Sequence, residues 1–446
     1  MVERNKMYLF LVALTCIVFY FFSNIKNINE GSSGLLFLGA FLLLGSFFII
    51  YELFSSKRMF FRKSFIFLIV FVSYFVYRIV VDMENFYFLK VFTIGTTGGI
   101  VLFYFLGAIV SFHLVIIKNA VLQKKDNLKI FNIFFFLFSF FFLLIFLNSY
   151  YVLSASLSQN LFLITTLNGN YQRPGTFLTI SFLMYSPLYI LFLVLNNKYK
   201  NEHKVLIVVM TIVYLISNIG SILLSQMIAS NNATVTLMGM LFLTLVFIVY
   251  IHYFKIDRFI LNNKIILRNI VFNKNALLLM ISIGIVVVLS IFTFIGTISI
   301  FDMNLSRFRI FGFGAQELSS VSSRIELWKN FSTHFNYSPI FGNMAVDRLT
   351  TGDGTYVHSF VGSLLTHLGV VGFSLFFIYL YFAIKEFFDI KQNFIENKII
   401  KLYLFCLFLG IFAIAIAGVH LSWIPLWFLL GLIFPTFILQ DKKKKI

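Results

Sequence analysis

The sequence predicts an all-α membrane protein that crosses the bilayer about twelve times. Two facts of composition point to this fold class: 60% of the 446 residues are hydrophobic, and only 12% are charged. A soluble domain cannot bury that much apolar surface, whereas the hydrocarbon core of a bilayer solvates it. The third observation is spacing, because apolar runs of about 17 to 25 residues recur along nearly the whole chain, separated by short polar links.

Each run of sufficient length is assigned as one transmembrane helix. The predicted spans lie at roughly 7–23, 34–51, 64–81, 91–117, 130–153, 177–195, 205–229, 235–253, 276–296, 357–384, 401–418 and 421–439. The first has a charged start, but its apolar core is long and no small-residue cleavage site follows it. We therefore expect a retained anchor rather than a signal peptide.

The basic residues predict the orientation of these spans. Lys and Arg are concentrated near the N-terminus and in six further segments, namely "SSKRMFFRK", "KNAVLQKKDNLK", "NNKYKNEHK", "KIDRFILNNKIILRN", the link at 385–401 and the "KKKK" tail. If the N-terminus is cytoplasmic, all seven fall on the cytoplasmic side, as the positive-inside rule requires. The net charge of +18 therefore indicates orientation, with both termini cytoplasmic, and not a nucleic-acid partner.

This topology divides the chain into three parts. Residues 1–296 form the first nine spans with short loops, 297–356 form one large exterior loop with interfacial helices, and 357–446 form the last three spans and the basic tail. The two cysteines, Cys16 and Cys406, lie inside apolar spans and predict neither a disulfide framework nor a metal cluster. Paired carboxylates are lacking in the early exterior links, which makes a metal-dependent mechanism less favoured, and no cofactor is expected.

Arginines in exterior segments are the first candidate functional residues, because the positive-inside rule disfavours them there. They are Arg173 in "NYQRPGTF", Arg324 in "SSVSSRIELWKNF", and Arg307, Arg309 and Arg348 elsewhere in the large loop. Two or three guanidinium groups can hold a pyrophosphate with paired hydrogen bonds. The alternative for each is an interfacial anchor that reaches toward lipid phosphates.

His358 is the second candidate, at the start of the tenth predicted span. If the helix begins near it, helical spacing places Gly362, Leu365, Gly369 and Gly372 on the same face. Small residues along one stripe allow a neighbouring helix to approach closely. The histidine is therefore expected to point into the helix bundle at its outer mouth, although a hydrogen-bonded histidine of purely structural role is the alternative.

Three further groups have structural interpretations. His367 follows His358 by nine residues, so helical spacing turns it to the opposite face, and we expect it to be structural. Arg78 is expected to pair with Asp82 one turn later. His420 and Trp423 in "AGVHLSWIP" are typical of a membrane-interface belt.

A histidine and several arginines at the outer membrane surface suggest a division of chemical roles. Arginines can stabilise a pyrophosphate as a leaving group, and a neutral histidine can take a proton from an attacking hydroxyl. Together these roles describe transfer of a glycosyl group from a lipid-linked pyrophosphoryl sugar to a sugar hydroxyl.

These residues also carry a family resemblance. "HS" at 358–359, nine residues and then "GVVG" at 369–372 resemble the signature of the bacterial O-antigen ligase and O-antigen polymerase superfamily, membrane glycosyltransferases of GT-C type. "RIELWKNFSTHFNYSPIFGNM" is similar to the family's Arg-x-x-x-Trp stretch followed by Pro, a large apolar residue and Gly. "RPGTFLTISF" is similar to its Arg-bearing segment before a span, with the Gly one place earlier.

The resemblance implies roles for individual residues and a location for the reaction. His358 would be the catalytic base, Arg173 and Arg324 would contact the undecaprenyl diphosphate of the donor, and the reaction would be inverting and metal-independent. The implied location is the outer face of the bacterial inner membrane. The implied partners are an undecaprenyl-diphosphate-linked oligosaccharide, a glycan acceptor, membrane lipid and a chain-length regulator.

The sequence leaves more than one function open. The leading hypothesis is a polymerase that joins lipid-linked repeat units of O-antigen or capsule. A ligase that transfers finished glycan to lipid A–core shares the donor chemistry and differs only in its acceptor. A third hypothesis is a lipid-oligosaccharide transporter, although charged residues are nearly lacking in the middle of the predicted spans.

Overall fold

The fold is a set of long apolar helices joined by short segments. The computed structural model describes residues 11–21, 34–55, 57–82, 94–123, 126–156, 172–198, 204–227, 230–253, 328–351, 357–388, 398–435 and 437–441. In these ranges the elements are, in chain order, α1 (Leu11–Phe21), α2 (Leu35–Ser55), β1 (Lys57–Phe61), α3 (Lys63–Val81), α4 (Ile94–Gln123), α5 (Asp126–Ser156), α6 (Gln172–Lys198), α7 (Lys204–Met227), α8 (Asn231–Tyr253), α9 (Phe331–Tyr337), α10 (Val346–Thr351), α11 (Phe360–Phe388), α12 (Lys398–Gly418), α13 (Ile424–Ile433) and β2 (Phe437–Asp441).

The architecture is that of a polytopic membrane protein. Within the described ranges, eight helices are long and apolar enough to cross a bilayer, judged by length and composition. They are α3, α4, α5, α6, α7, α8, α11 and α12. The predicted ninth span, at 276–296, and most of the predicted exterior loop lie outside the described residues.

The end of the twelfth predicted span is wrong. A helix was expected over 421–439, but α13 ends at Ile433 and β2 begins at Phe437. Pro435 explains the stop, because proline has no N–H to donate and its ring clashes with the carbonyl four residues earlier. The strand that follows pairs antiparallel with β1, in a register that joins Lys57 to Asp441 and Phe61 to Phe437.

The chain divides into two compact units. Unit 1 comprises residues 1–35, 116–315 and 402–407, and unit 2 comprises residues 36–115, 316–401 and 408–446. In unit 1, α6 is buried along its whole apolar length and packs with aromatic rings against its neighbours. Tyr189 of α6 stacks on Tyr214 of α7 with ring centroids 4.5 Å apart, and Tyr214 begins a chain of hydroxyl contacts through Thr244 to Tyr403.

Unit 2 is built on α3 and α11, which pack side by side in opposite directions. At one end, the Glu386 carboxylate near the end of α11 accepts hydrogen bonds from Lys63 N–H (2.7 Å) and from the Ser64 hydroxyl (2.6 Å) at the start of α3. This carboxylate satisfies N–H groups that a helix start leaves without intrahelical partners. Between the ends, Phe71 and Phe376 pack around the buried Trp427 of α13, each with centroids 6.0 Å from it.

Candidate active site

The helix that follows His358 is interrupted at Gly369. This residue has φ 64° and ψ −172°, a conformation that residues with a Cβ rarely adopt, and it separates α11 into a first half, 360–368, and a second half, 370–388. An interrupted helix leaves N–H and C=O groups without their intrahelical partners. In a membrane protein such irregular backbone is tolerated where protein or a water-filled cavity surrounds it.

The segment Pro339–Asn343 fills this interruption. Val370 N–H donates to Pro339 O (2.9 Å), and Val371 N–H donates to Ile340 O (3.1 Å), so the second half of α11 starts with its first donors satisfied. On the other side of the break, Asn343 N–H donates to Thr366 O (3.2 Å). The loop thus supplies hydrogen bonds that a continuous helix would have made within itself.

The fit between loop and helix depends on two glycines. Gly342 also has a positive φ, 70°, and a Cβ on it would collide with Gly369 N and with the His367 carbonyl. A Cβ on Gly369 would collide with Ile340 O and Gly342 N. Two short motifs that are separated by 26 residues in the chain therefore meet backbone to backbone in unit 2.

The Arg78–Asp82 pair holds this loop at the end of α3. Arg78 Nη2 donates to both carboxylate oxygens of Asp82 (2.8 and 2.9 Å), as predicted, and also to Gly342 O (2.9 Å). The Asp82 carboxylate accepts from Met344 N–H at 2.8 Å. The Tyr74 hydroxyl, one turn earlier on α3, lies 2.7 Å from Phe341 O.

His358 lies immediately before α11, half-buried, in a bend of the chain. Ser359 is the residue that starts the helix, because its hydroxyl accepts the Gly362 N–H at 3.1 Å as an N-cap. The expected common face of His358, Gly362, Gly369 and Gly372 is therefore wrong. His358 is outside the helix, and the break at Gly369 interrupts the helical phase before Gly372 is reached.

Helical phase predicted that His367 faces away from His358, but His367 is part of a buried cluster in unit 2. It is fully buried, and its Nε2 atom lies 3.1 Å from Oδ2 of Asp347 in α10. The other oxygen of Asp347, Oδ1, lies 3.6 Å from Nδ1 of His334 in α9, which is also fully buried. One carboxylate from the loop thus stands between two imidazoles, one from α9 and one from α11.

His420 belongs to the same cluster and not to an interface belt. It is buried, and its ring meets that of His367 edge to face with centroids 5.2 Å apart. Leu421 N–H donates to the Ser363 hydroxyl (2.9 Å), which attaches the segment between α12 and α13 to the first half of α11. Burial, with smaller effects from the charges of His367 and His358, holds the pKa of His420 well below its ordinary value.

Trp328, the end of the Arg-x-x-x-Trp pattern, lies at the start of α11. A Cβ added to Gly362 would stand 3.5 Å from Cη2 of its indole. Trp328 is 41% exposed. The segments 328–344 and 358–372, which carry separate motifs in the sequence, therefore come together at Gly362, in the first turn of α11.

The predicted arginines are only partly described. Arg348 lies in α10 beside Asp347 and is half-buried; among the described residues its Nε atom is buried without a hydrogen-bond partner. Arg173 lies in the first turn of α6, in unit 1, and its side chain is outside the described residues. Arg307, Arg309 and Arg324 also lie outside them.

Sequence reasoning did not identify His334, Asp347 or His420 as members of the site. Asp347 gave no local signal, because its two imidazole partners come from other segments of the chain. One available signal was their position, since His334 and Asp347 flank the Pro-x-x-Gly motif at 339–342 on either side. In the described ranges, no group of three or more His, Cys, Asp or Glu side chains is placed to hold a metal ion.

Comparison with models of protein families, with curated proteins and with solved structures found no match to this chain.

Proposed function

We propose that this chain is a membrane glycosyltransferase that joins undecaprenyl-diphosphate-linked oligosaccharide repeat units into O-antigen or capsular polysaccharide. The observation that carries the proposal is the convergence of two motif segments: Trp328 lies by Gly362, four residues after His358, and the segment 339–343 packs into the break of α11. These are the segments that resemble the O-antigen ligase and polymerase superfamily. Their meeting at one place supports a shared site for the residues they flank.

In this proposal His358 is the general base. It is half-buried and lies outside the helix, so its ring can face an acceptor hydroxyl while remaining attached to a rigid helix start. As a neutral imidazole it takes the proton of the attacking hydroxyl, which forms the new glycosidic bond with inversion as the bond to diphosphate breaks. The released undecaprenyl diphosphate keeps the electron pair of the broken bond.

Arginines hold the diphosphate and stabilise its growing charge. Arg348 is the one with a described side chain, and its buried, unpartnered Nε atom supports a role in anion binding. Arg173 and Arg324 remain proposed contacts to the donor on the family resemblance. Arg324 stands four residues before Trp328, whose indole lies by the start of α11.

The proposed topology has twelve spans, an exterior loop at 297–356 and cytoplasmic termini, in the bacterial inner membrane. Contacts within unit 2 are consistent with this sidedness. The basic segment at 57–61, which is predicted to be cytoplasmic, pairs with the strand at 437–441, which leads into the predicted cytoplasmic tail. At the other end of α3, Asp82 binds the loop residue Met344, and both are predicted to be exterior.

A transporter is the second candidate, because interrupted helices occur at transporter binding sites. Here, however, the break lies only nine residues into α11 and is filled by the protein's own loop. A ligase shares every element of the proposed chemistry. Profiling surface glycans of a deletion strain separates these functions: a single-repeat product indicates a polymerase, and long unattached chains indicate a ligase.

The direct test is transfer by purified protein in lipid bilayers supplied with undecaprenyl-diphosphate-linked oligosaccharide. We expect the wild type to form longer lipid-linked chains and His358→Ala to form none, with both proteins equally well inserted. Asn336→Ala, at an exposed position of the same loop, is the control and should retain activity. Normal chain formation by His358→Ala would remove His358 from the mechanism. If the wild type leaves the lipid-linked oligosaccharide unchanged but moves it across the bilayer, the transporter hypothesis is supported instead.

A further inference from the structure

The Asp347 carboxylate is buried between two imidazoles at the end of unit 2 that carries His358. Its side chain is only 8% exposed, whereas those of His334 and His367 are not exposed at all. A buried carboxylate is stable only when it is paired or neutralised, because its charged form loses solvation by water. The protonation of the histidines around it therefore decides whether this site is stable.

The hydrogen bonds of His367 indicate which protonation state the site accommodates. Nδ1 lies 3.1 Å from Ser363 O, a carbonyl that can only accept, so this nitrogen is placed to donate. Nε2 lies 3.1 Å from Oδ2 of Asp347, which also only accepts when ionised. A ring whose two nitrogens both face acceptors is satisfied when both nitrogens carry a proton.

Thr366 is consistent with the same state. Its hydroxyl has one proton and lies 3.0 Å from Gly362 O and 3.0 Å from His367 Nδ1. If His367 is doubly protonated, the Thr366 hydroxyl donates to Gly362 O and accepts from Nδ1, so every donor has an acceptor. If Nδ1 carries no proton, its lone pair instead faces the Ser363 carbonyl, and the Thr366 proton has to leave Gly362 O.

We propose that Asp347 and His367 form a buried ion pair in which His367 is doubly protonated, and that this charge keeps the adjacent His420 neutral. The ion pair rests on the hydrogen-bond geometry of His367, and its effect on His420 rests on the contact between the two rings.

His420 is the imidazole next to the ion pair. Its ring contacts that of His367 with centroids 5.2 Å apart, and burial, with smaller effects from the charges of His367 and His358, lowers the pKa of His420. A positive charge on one imidazole therefore disfavours a charge on the next. Among the described residues, the charged or titratable groups on the elements packed around His367 include Tyr74, His334, Asp347, Arg348, His358, His420 and the paired Arg78 and Asp82.

The ion pair is tested by solid-state NMR of protein with ¹⁵N-labelled histidine rings, in lipid bilayers at pH 7.5. We expect the wild type to show a doubly protonated ring signal that Asp347→Asn converts to a neutral one and that His367→Gln removes. Asp126→Asn, at an exposed position, is the control and should leave the signal unchanged. The ion pair is refuted if the wild type shows neutral rings only, a result that does not require any variant to fold.

If the wild type shows the doubly protonated ring but no transfer, the proposed function fails and the ion pair stands.

Discussion

Gly342 and Gly369 touch through their main chains, and neither position has room for a Cβ. Gly342 belongs to the loop and Gly369 to the interrupted helix, and both have a positive φ. Their contact allows the loop carbonyls of Pro339 and Ile340 to reach the N–H groups that start the second half of α11. The geometry of the break in α11 depends on this approach.

Replacing either glycine should therefore destabilise the site. Gly369→Ala and Gly342→Ala introduce a Cβ into a strained backbone conformation, which costs on the order of 1–3 kcal/mol before any collision is counted. We expect lower thermal stability in detergent, measured by tryptophan fluorescence. Gly410→Ala is the control, because a Cβ there meets no atom within 4 Å. Equal stability of Gly369→Ala and Gly410→Ala would contradict this account of the break.

Asp82→Asn should weaken the attachment of the loop to α3. The substitution leaves the buried Arg78 without its carboxylate, and removing one member of a buried ion pair typically costs about 3–5 kcal/mol. Because the two residues interact, the effects of Arg78→Gln and Asp82→Asn should not add in the double variant. Additive losses in thermal unfolding would indicate that the pair does not act as a unit.

Glu386→Gln should destabilise the opposite end of unit 2. The carboxylate accepts from Lys63 N–H and from the Ser64 hydroxyl, and losing such a cap costs about 0.5–2 kcal/mol. Lys385→Ala changes an exposed neighbour and should stay within about 0.5 kcal/mol of the wild type. The measurement is again the unfolding temperature, and a Glu386→Gln variant as stable as Lys385→Ala would exclude the capping role.

His420 should make the protein less stable in mild acid. Its pKa is lowered in the folded state, so below the ordinary histidine pKa of about 6.5 the unfolded chain binds a proton that the folded chain does not. Stability is therefore fully present above about pH 6.5 and falls by up to about 1.4 kcal/mol per pH unit below it. We expect His420→Gln to flatten the decrease of the unfolding temperature between pH 7.5 and 5. An unchanged slope would show that His420 is not the group responsible.

Arg348→Gln should impair transfer mainly through donor binding. The substitution removes a guanidinium whose Nε atom is buried near the cluster, so we expect a higher KM for the lipid-linked donor, by about tenfold or more. Lys329→Ala removes an exposed charge from the same loop and should leave KM unchanged. Similar KM values for the two variants would exclude Arg348 from diphosphate binding.

The sequence by itself determined the membrane class and the approximate positions of the described spans. The span predicted at 64–81 corresponds to α3 at Lys63–Val81, and the one predicted at 357–384 corresponds to α11 at Phe360–Phe388. Such helices are predictable because a bilayer requires a run of apolar residues of a certain length, which is a local property. The Arg78–Asp82 pair was equally predictable, because one helical turn separates its members.

Only the tertiary structure decided how the candidate site is assembled. Helical periodicity counted from His358 could not place His367, because His358 lies before α11, which begins at Phe360. A break filled by a distant loop likewise leaves no local signal except the glycine itself. The cluster of His334, Asp347, His367 and His420 draws on four segments of the chain, and its charges depend on which carboxylate is buried next to which imidazole. Such pairings are set by packing between segments that are far apart in sequence. Periodicity within one segment therefore cannot predict them.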